Sequence, residues 1–235
     1  MDITLDATAR HWQSRAFRFA TEELIPHEVE AELNEGRLAP DVEKRHKKLA
    51  VELGFSAMDV PKERGGLALR IVDQVAVWEQ LGRVTNALCW CFSEAQDWMF
   101  AACSEEQIQR YILPLMSGER KECYAITESG SGSDVSVETL ARRAEGGYAI
   151  SGEKWYVTSA NHADYFILQA RLAEGPHAGS DSLFFIDQGA PQIQFVDNVA
   201  HADRLLLAQA LAAAVSFDRE PGTLLGAQFV AFEGD

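Results

Sequence analysis

Apolar residues recur at helical spacing through the first half of this chain and alternate with polar ones in the second. Across residues 8–34, Trp12, Ala16, Phe19, Ala20, Leu24 and Val29 follow a near-helical period, and Pro26 predicts a helix end or a kink. Pro40 and Asp41 open the next helix, Val42, Leu49, Ala50 and Leu53 form its apolar stripe, and Gly54 stops it. Residues 60–66, V-P-K-E-R-G-G, read as a loop by their breakers. Helical spacing resumes with Ile71, Val72, Val75, Trp78 and Leu81, and a further helix is expected over residues 85–102. Trp78, Trp90 and Trp98 are read as core. Ser104 and Gln107 form a capping-box pattern for a helix that ends near Met116, with Pro114 kinking its last turn.

From Cys123 the period falls to two. Residues 122–127, 139–144, 148–151, 155–159, 165–171 and 183–187 read as strands, with a hairpin turn at 145–147 and a bend at Gly152. Residues 205–215, L-L-L-A-Q-A-L-A-A-A-V, favour helix by propensity. The expected class is therefore α+β: a helical N-terminal domain over residues 1–121, then a β domain over residues 122–235.

Composition narrows the functions. At 235 residues with 47% hydrophobic and 24% charged content, the chain can bury a full core. A net charge of -15 repels nucleic acid and anionic membrane surfaces, so neither is expected as a partner. Cys89 and Cys91 lie two apart in an expected helix and point away from each other, and the histidines have no i, i+4 pair, so no metal is expected. Free thiols and the lack of a membrane-length apolar run or a leader make a cytoplasmic protein the expectation.

The candidate chemistry lies between residues 124 and 158, which read Y-A-I-T-E-S-G-S-G-S-D and, after a hairpin, G-E-K-W-Y-V-T-S. Small residues at Gly130, Ser131, Gly132 and Ser133 let backbone N–H groups and hydroxyls approach a phosphate. Thr127 and Thr158 can each offer a hydroxyl to a heteroatom on a ring edge, and Tyr156 can lay its face against the ring. The ligand this suggests is a flavin nucleotide. Arg142, Arg143 and Lys154 are read as solvated cations, and His162 as an ordinary loop histidine.

With these segments placed, the chain resembles the acyl-CoA dehydrogenase flavoprotein family along nearly its whole length. E-E-L-I-P-H-E at 22–28, L-G-F-S-A-M-D-V-P-K-E-R-G-G-L at 53–67 and S-E-E-Q-I-Q-R-Y-I-L-P-L-M-S-G-E at 104–119 carry the resemblance, with the two segments above as its strongest matches. The resemblance implies a helical N-terminal domain, an antiparallel, β-barrel-like middle domain and a C-terminal four-helix domain, with FAD and an acyl-CoA (or carrier-bound acyl) thioester as ligands. Carried over, Tyr124, Ala125, Ile126, Thr127, Ser133, Tyr156, Val157 and Thr158 line the FAD site. Thr127 bonds the pyrimidine side of the ring, Tyr156 packs beside it and Thr158 bonds the N5 edge. Ser133 also sits near the CoA portion of the substrate.

The departures matter as much. Ser129 stands where the family usually has proline, which implies a looser turn. Thr158-Ser159-Ala160 replaces a Thr-Asn-Gly, and A-V-S-F-D-R-E-P-G-T-L-L-G at 214–226 resembles the last strand and exit loop of the β domain. The family's α-proton base is a glutamate on the C-terminal domain. No residue maps onto it, and Glu128 matches a structural glutamate, so no catalytic residue is assigned. The expectation is an oxidoreductase acting on an acyl thioester, completed as a homo-oligomer or as a hetero-oligomer with a chain that supplies the C-terminal helices. The alternatives are a non-catalytic half-dehydrogenase serving as scaffold or regulatory subunit, and an oxidase or monooxygenase on the same scaffold.

Overall fold

A computed structural model describes residues 4–34, 36–133, 137–145, 147–160, 162–190, 193–199 and 202–215. The exit loop expected within 214–226 therefore lies outside the described residues beyond 215. The chain divides into two compact units, Met1–Met99 with Arg110–Glu119, and Phe100–Gln109 with Arg120–Asp235. No helix among the described residues is long and apolar enough to cross a membrane.

In the helical unit, α1 (Ala7–Phe19) is capped by Asp6, whose carboxylate accepts from the N–H of Ala9. A π segment, Ala20–Leu24, and a short 3-10 turn, Ile25–His27, lead into α2 (Glu28–Leu33). Pro26 explains the change of winding: it has no N–H to give the preceding turn, so the hydrogen-bond ladder shifts. The same device recurs later, where the π segment Ile108–Ile112 precedes Pro114 in the last helical turn, Leu113–Met116. Helix α3 (Pro40–Glu52) ends before Gly54, whose φ of 82° supplies the left-handed stop.

Helix α4 (Ile71–Leu81) has the expected span, but its buried face is rotated from the expected stripe. Ile71 and Val75 are 78% and 59% exposed, Val72 is also exposed, and Asp73, Ala76, Val77, Gln80 and Leu81 face inward. Asp73 can be buried because Arg70 grips both its oxygens, at 2.7 and 2.8 Å. Val29 is likewise exposed, against expectation. The helix expected over 85–102 is two short ones, α5 (Asn86–Cys89) and α6 (Asp97–Ala102), and Trp90 in the break between them is exposed rather than core. Trp78 is half-buried and stacks on Phe92 at 5.8 Å. The Ser104–Gln107 capping box forms as read at the start of α7 (Glu105–Gln107).

The second unit holds β1 (Glu122–Ala125), β2 (Leu140–Ala144), β3 (Gly147–Thr158), β4 (Tyr165–Leu172), β5 (Asp181–Asp187), β6 (Ile193–Val199) and β7 (Ala202–Val215). Pairings β4–β2–β3–β7–β5–β4 close a barrel; β1 pairs the start of β4 on the edge whose far end pairs β2, and β6 pairs the start of β7 on the edge whose far end pairs β5. The sheet is mixed rather than antiparallel throughout, since β1–β4 and β2–β4 run parallel. The barrel interior is filled by Tyr148, Ile150, Val157, Phe166, Leu168, Phe184 and Ile186 with small residues between them.

Two expectations fail here. Residues 205–215 lie in β7, not a helix: pairing with β3, β5 and β6 satisfies their backbone and overrides Leu/Ala propensity. The strands expected at 148–151 and 155–159 are one strand, β3. Gly152 does not end it but sits beside a register shift at Ile150/Ser151, with a second shift between Lys154 and Val157.

Candidate functional site

The second register shift builds the site. It leaves Trp155 and Tyr156 out of the β3–β7 ladder and puts Tyr156 at φ 53°, a left-handed conformation costly for an aromatic residue. The bulge turns the Tyr156 ring outward, where it is 60% exposed, and resets the alternation so that Val157 faces the core and Thr158 faces solvent. Ser159 follows at φ 64°, so the strand turns away immediately after Thr158.

The partner segment leaves β1. Cys123 and Ala125 point into the barrel, and Tyr124 and Thr127 are exposed. Past β1 the chain is held to β3 by the Trp155 N–H, which donates to the Thr127 carbonyl at 2.8 Å. Thus Thr127, Tyr156 and Thr158 are exposed side chains on two segments tied directly together. Ala125 and Val157 are buried, so any contact they make with a ligand is through backbone. Ile126 is half-buried, and its carbonyl is already taken by Lys154.

The glycine/serine turn follows. The N–H of Glu128 donates to the Ser131 hydroxyl at 2.9 Å, and the Ser131 hydroxyl and N–H both donate to the Glu128 carbonyl, at 3.0 and 3.1 Å. These three bonds close the turn despite the serine at position 129. Ser129, Gly130, Gly132 and Ser133 are exposed along it.

Beneath the turn lies a pair that sequence reasoning misplaced. Lys154 is fully buried, not solvated: its ammonium donates to Glu128 Oε1 at 2.6 Å and to the Ile126 carbonyl at 2.9 Å. Glu128 Oε2 accepts from the N–H of Glu138 at 2.6 Å, and Oε1 from that of Thr139 at 3.0 Å. Burial pushes the Glu128 carboxyl up, but the Lys154 ammonium and these N–H groups outweigh it and hold it below the usual carboxylate range. Burial draws Lys154 down from its ordinary value against the pull of Glu128. The signal for this was in the alternation. Lys154 shares its parity with Tyr148 and Ile150, both inward-facing. Arg142, Arg143 and His162 are exposed, as read.

What the arrangement can do follows from its donor set. An exposed aromatic face is flanked by two exposed hydroxyls and, through the Thr127–Ser133 segment, by a turn with no bulky side chains. That set fits a planar heteroaromatic group carrying a phosphate tail.

Comparison with known proteins adds the relatives of this arrangement. The family descriptions "Acyl-CoA dehydrogenase, N-terminal domain" and "Acyl-CoA dehydrogenase, middle domain" match residues 6–119 and 123–203. Over 195 residues the chain is 31% identical to the mitochondrial isobutyryl-CoA dehydrogenase of Bos taurus, covering 81% of this chain and 45% of that protein. It is 29% identical over 198 residues to the benzylmalonyl-CoA dehydrogenase of Aromatoleum aromaticum, covering 82% and 50% respectively. The crystal structure of an acyl-CoA dehydrogenase complexed with FAD from Bacillus anthracis superposes with a TM-score of 0.74 at 26% identity, over 90% of this chain and 37% of that one. The chain spans about half the length of the curated relatives it matches.

Proposed function

The chain belongs to the acyl-CoA dehydrogenase family, and from that premise we propose that it forms the flavin-bearing wall of an FAD-dependent α,β-dehydrogenase of acyl thioesters. The observation that carries the reading is the exposed cluster of Thr127, Tyr156 and Thr158 on segments joined by the Trp155–Thr127 backbone bond. FAD, when bound, supplies the acceptor for the hydride that leaves the β-carbon of the substrate. Tyr156 offers its face to the ring, Thr127 and Thr158 offer hydroxyl donors to its edge, and the Gly130–Ser133 turn lets the diphosphate come close to the backbone. Ser133, exposed at the end of that turn, is positioned on the same segment to meet the acyl-CoA or carrier-bound substrate.

The α-proton requires a carboxylate base within hydrogen-bond reach. Glu128 does not serve, because Lys154 and two backbone N–H groups occupy its oxygens in the interior. No described residue is assigned as the base; the family resemblance implies a glutamate on a C-terminal helical domain for that role.

The visible spectrum of the purified chain tests the reading. Flavin absorbance near-stoichiometric with protein, or gained on adding FAD, supports it. A colourless protein that takes up no FAD points instead to a scaffold or regulatory role.

A further inference from the structure

We infer that the buried Glu128–Lys154 pair is the positioning device of the cradle, and that its polarity, as well as its presence, is required. The inference rests on the cofactor reading above. It says what that reading leaves open: what holds the segments that carry Thr127, Tyr156 and Thr158, all three exposed.

Three strands of chain meet at these two side chains. Lys154, on β3, ties down the Ile126 carbonyl and the Glu128 carboxylate. Glu128 in turn receives the N–H groups of Glu138 and Thr139. The carboxylate at the start of the glycine/serine turn thus also holds the residues at which the chain returns to β2. Both ends of the turn, and the strand carrying Tyr156 and Thr158, are pinned to one ion pair.

Stability alone does not explain the pair. Two charges buried at 0% and 7% exposure lose hydration that their attraction only roughly offsets, and apolar replacements of similar volume are commonly as stable. What apolar side chains cannot reproduce is direction. The Ile126 carbonyl needs a donor at position 154, and the Glu138 and Thr139 N–H groups need an acceptor at position 128. An exchanged pair would aim a carboxylate at a carbonyl and an ammonium at two N–H groups.

The test uses the full chain with FAD as the probe. FAD affinity, the circular dichroism of bound flavin and thermal unfolding are measured together for wild type, Lys154→Met, the apolar double variant Glu128→Leu/Lys154→Met, and the exchange Glu128→Lys/Lys154→Glu. The double variant is expected to fold and to bind FAD about tenfold or more weakly, the worth of one or two well-placed hydrogen bonds to the ligand. Its flavin dichroism is expected to be altered, which a purely structural role would not cause in a protein of unchanged stability. The exchange is expected to restore neither affinity nor dichroism. Wild-type affinity and dichroism in the folded double variant, or recovery in the exchange, overturns the inference. If Lys154→Met does not fold, the double variant decides alone. A wild-type chain that takes up no FAD overturns the cofactor reading, and this inference with it.

Discussion

The backbone N–H of Trp155 donates to the carbonyl of Thr127 across 2.8 Å, joining the bulge on β3 to the segment that leaves β1. A backbone bond of ordinary length thus ties the segment of exposed Thr127 to that of exposed Tyr156, 29 positions further along the sequence. The bond works with the bulge: one fixes the distance between the segments and the other turns Tyr156 outward. The site is built by an interruption of the sheet, stabilised by backbone.

Tyr156 carries the cost of that interruption. An aromatic residue at φ 53° is strained, and glycine is not. Tyr156→Gly is expected to leave stability unchanged or raise it by up to about 1 kcal/mol, because the lost ring is mostly exposed. FAD affinity should fall in the same variant. Chemical denaturation and FAD titration of the two proteins check this, and equal affinities would remove Tyr156 from the site.

Gly152 sits where β3 passes the segment entering β2. A Cβ there would lie 2.4 Å from Thr139 Oγ1 and 2.7 Å from the Thr139 Cα. Gly152→Ala should therefore destabilise the β unit by about 1–3 kcal/mol. Thr139→Ala should recover only part of the loss, since the backbone clash persists. Thermal unfolding of the single and double variants reads both effects, and a neutral Gly152→Ala would mean the two segments do not cross this closely.

Much of this was legible from periodicity. Helices α3 and α4, the capping box at Ser104 and strands β2, β4 and β5 follow apolar spacing and turn residues, which are local signals. The buried face of α4 was not legible, because Arg70 neutralises Asp73 and lets a charge replace an aliphatic residue inside. Strand β7 was not legible either, since its Leu/Ala composition yields to pairing partners far away in sequence. At the candidate site, Thr127, Tyr156 and Thr158 are nominated by residue type and resemblance. The pair beneath them was missed because a lysine was read by its charge and not by its parity.

The acid limb of stability should report Glu128. Its carboxyl is held below the ordinary value of 4.5 in the folded protein, so its contribution is complete above that pH and is lost as pH falls through the lower folded value. Glu128→Gln should flatten this part of the limb. Urea unfolding of the β unit below pH 4.5, wild type against variant, provides the measurement. Identical limbs would mean that the carboxylate gains nothing from Lys154.

A second pH dependence belongs to the helical unit. His46 is 1% exposed, its Nε2 has no hydrogen-bond partner among the described residues, and its ring lies 5.2 Å from that of His27. His27 is itself drawn toward Glu30, 3.3 Å from Nδ1. Burial first, and the neighbouring His27 second, lower the affinity of His46 for a proton, against the opposing pull of Glu23. As pH falls below about 6.5, the unfolded chain takes up a proton that folded His46 declines, so stability falls with pH from there down to the folded value. His46→Leu removes both the unpaired nitrogen and this proton difference. It should flatten the slope just below pH 6.5 and leave the helical unit at least as stable at neutral pH. Hydrogen exchange of residues 16–58 at stepped pH reads that slope for the helical unit specifically. A slope that survives His46→Leu unchanged would assign it to other groups.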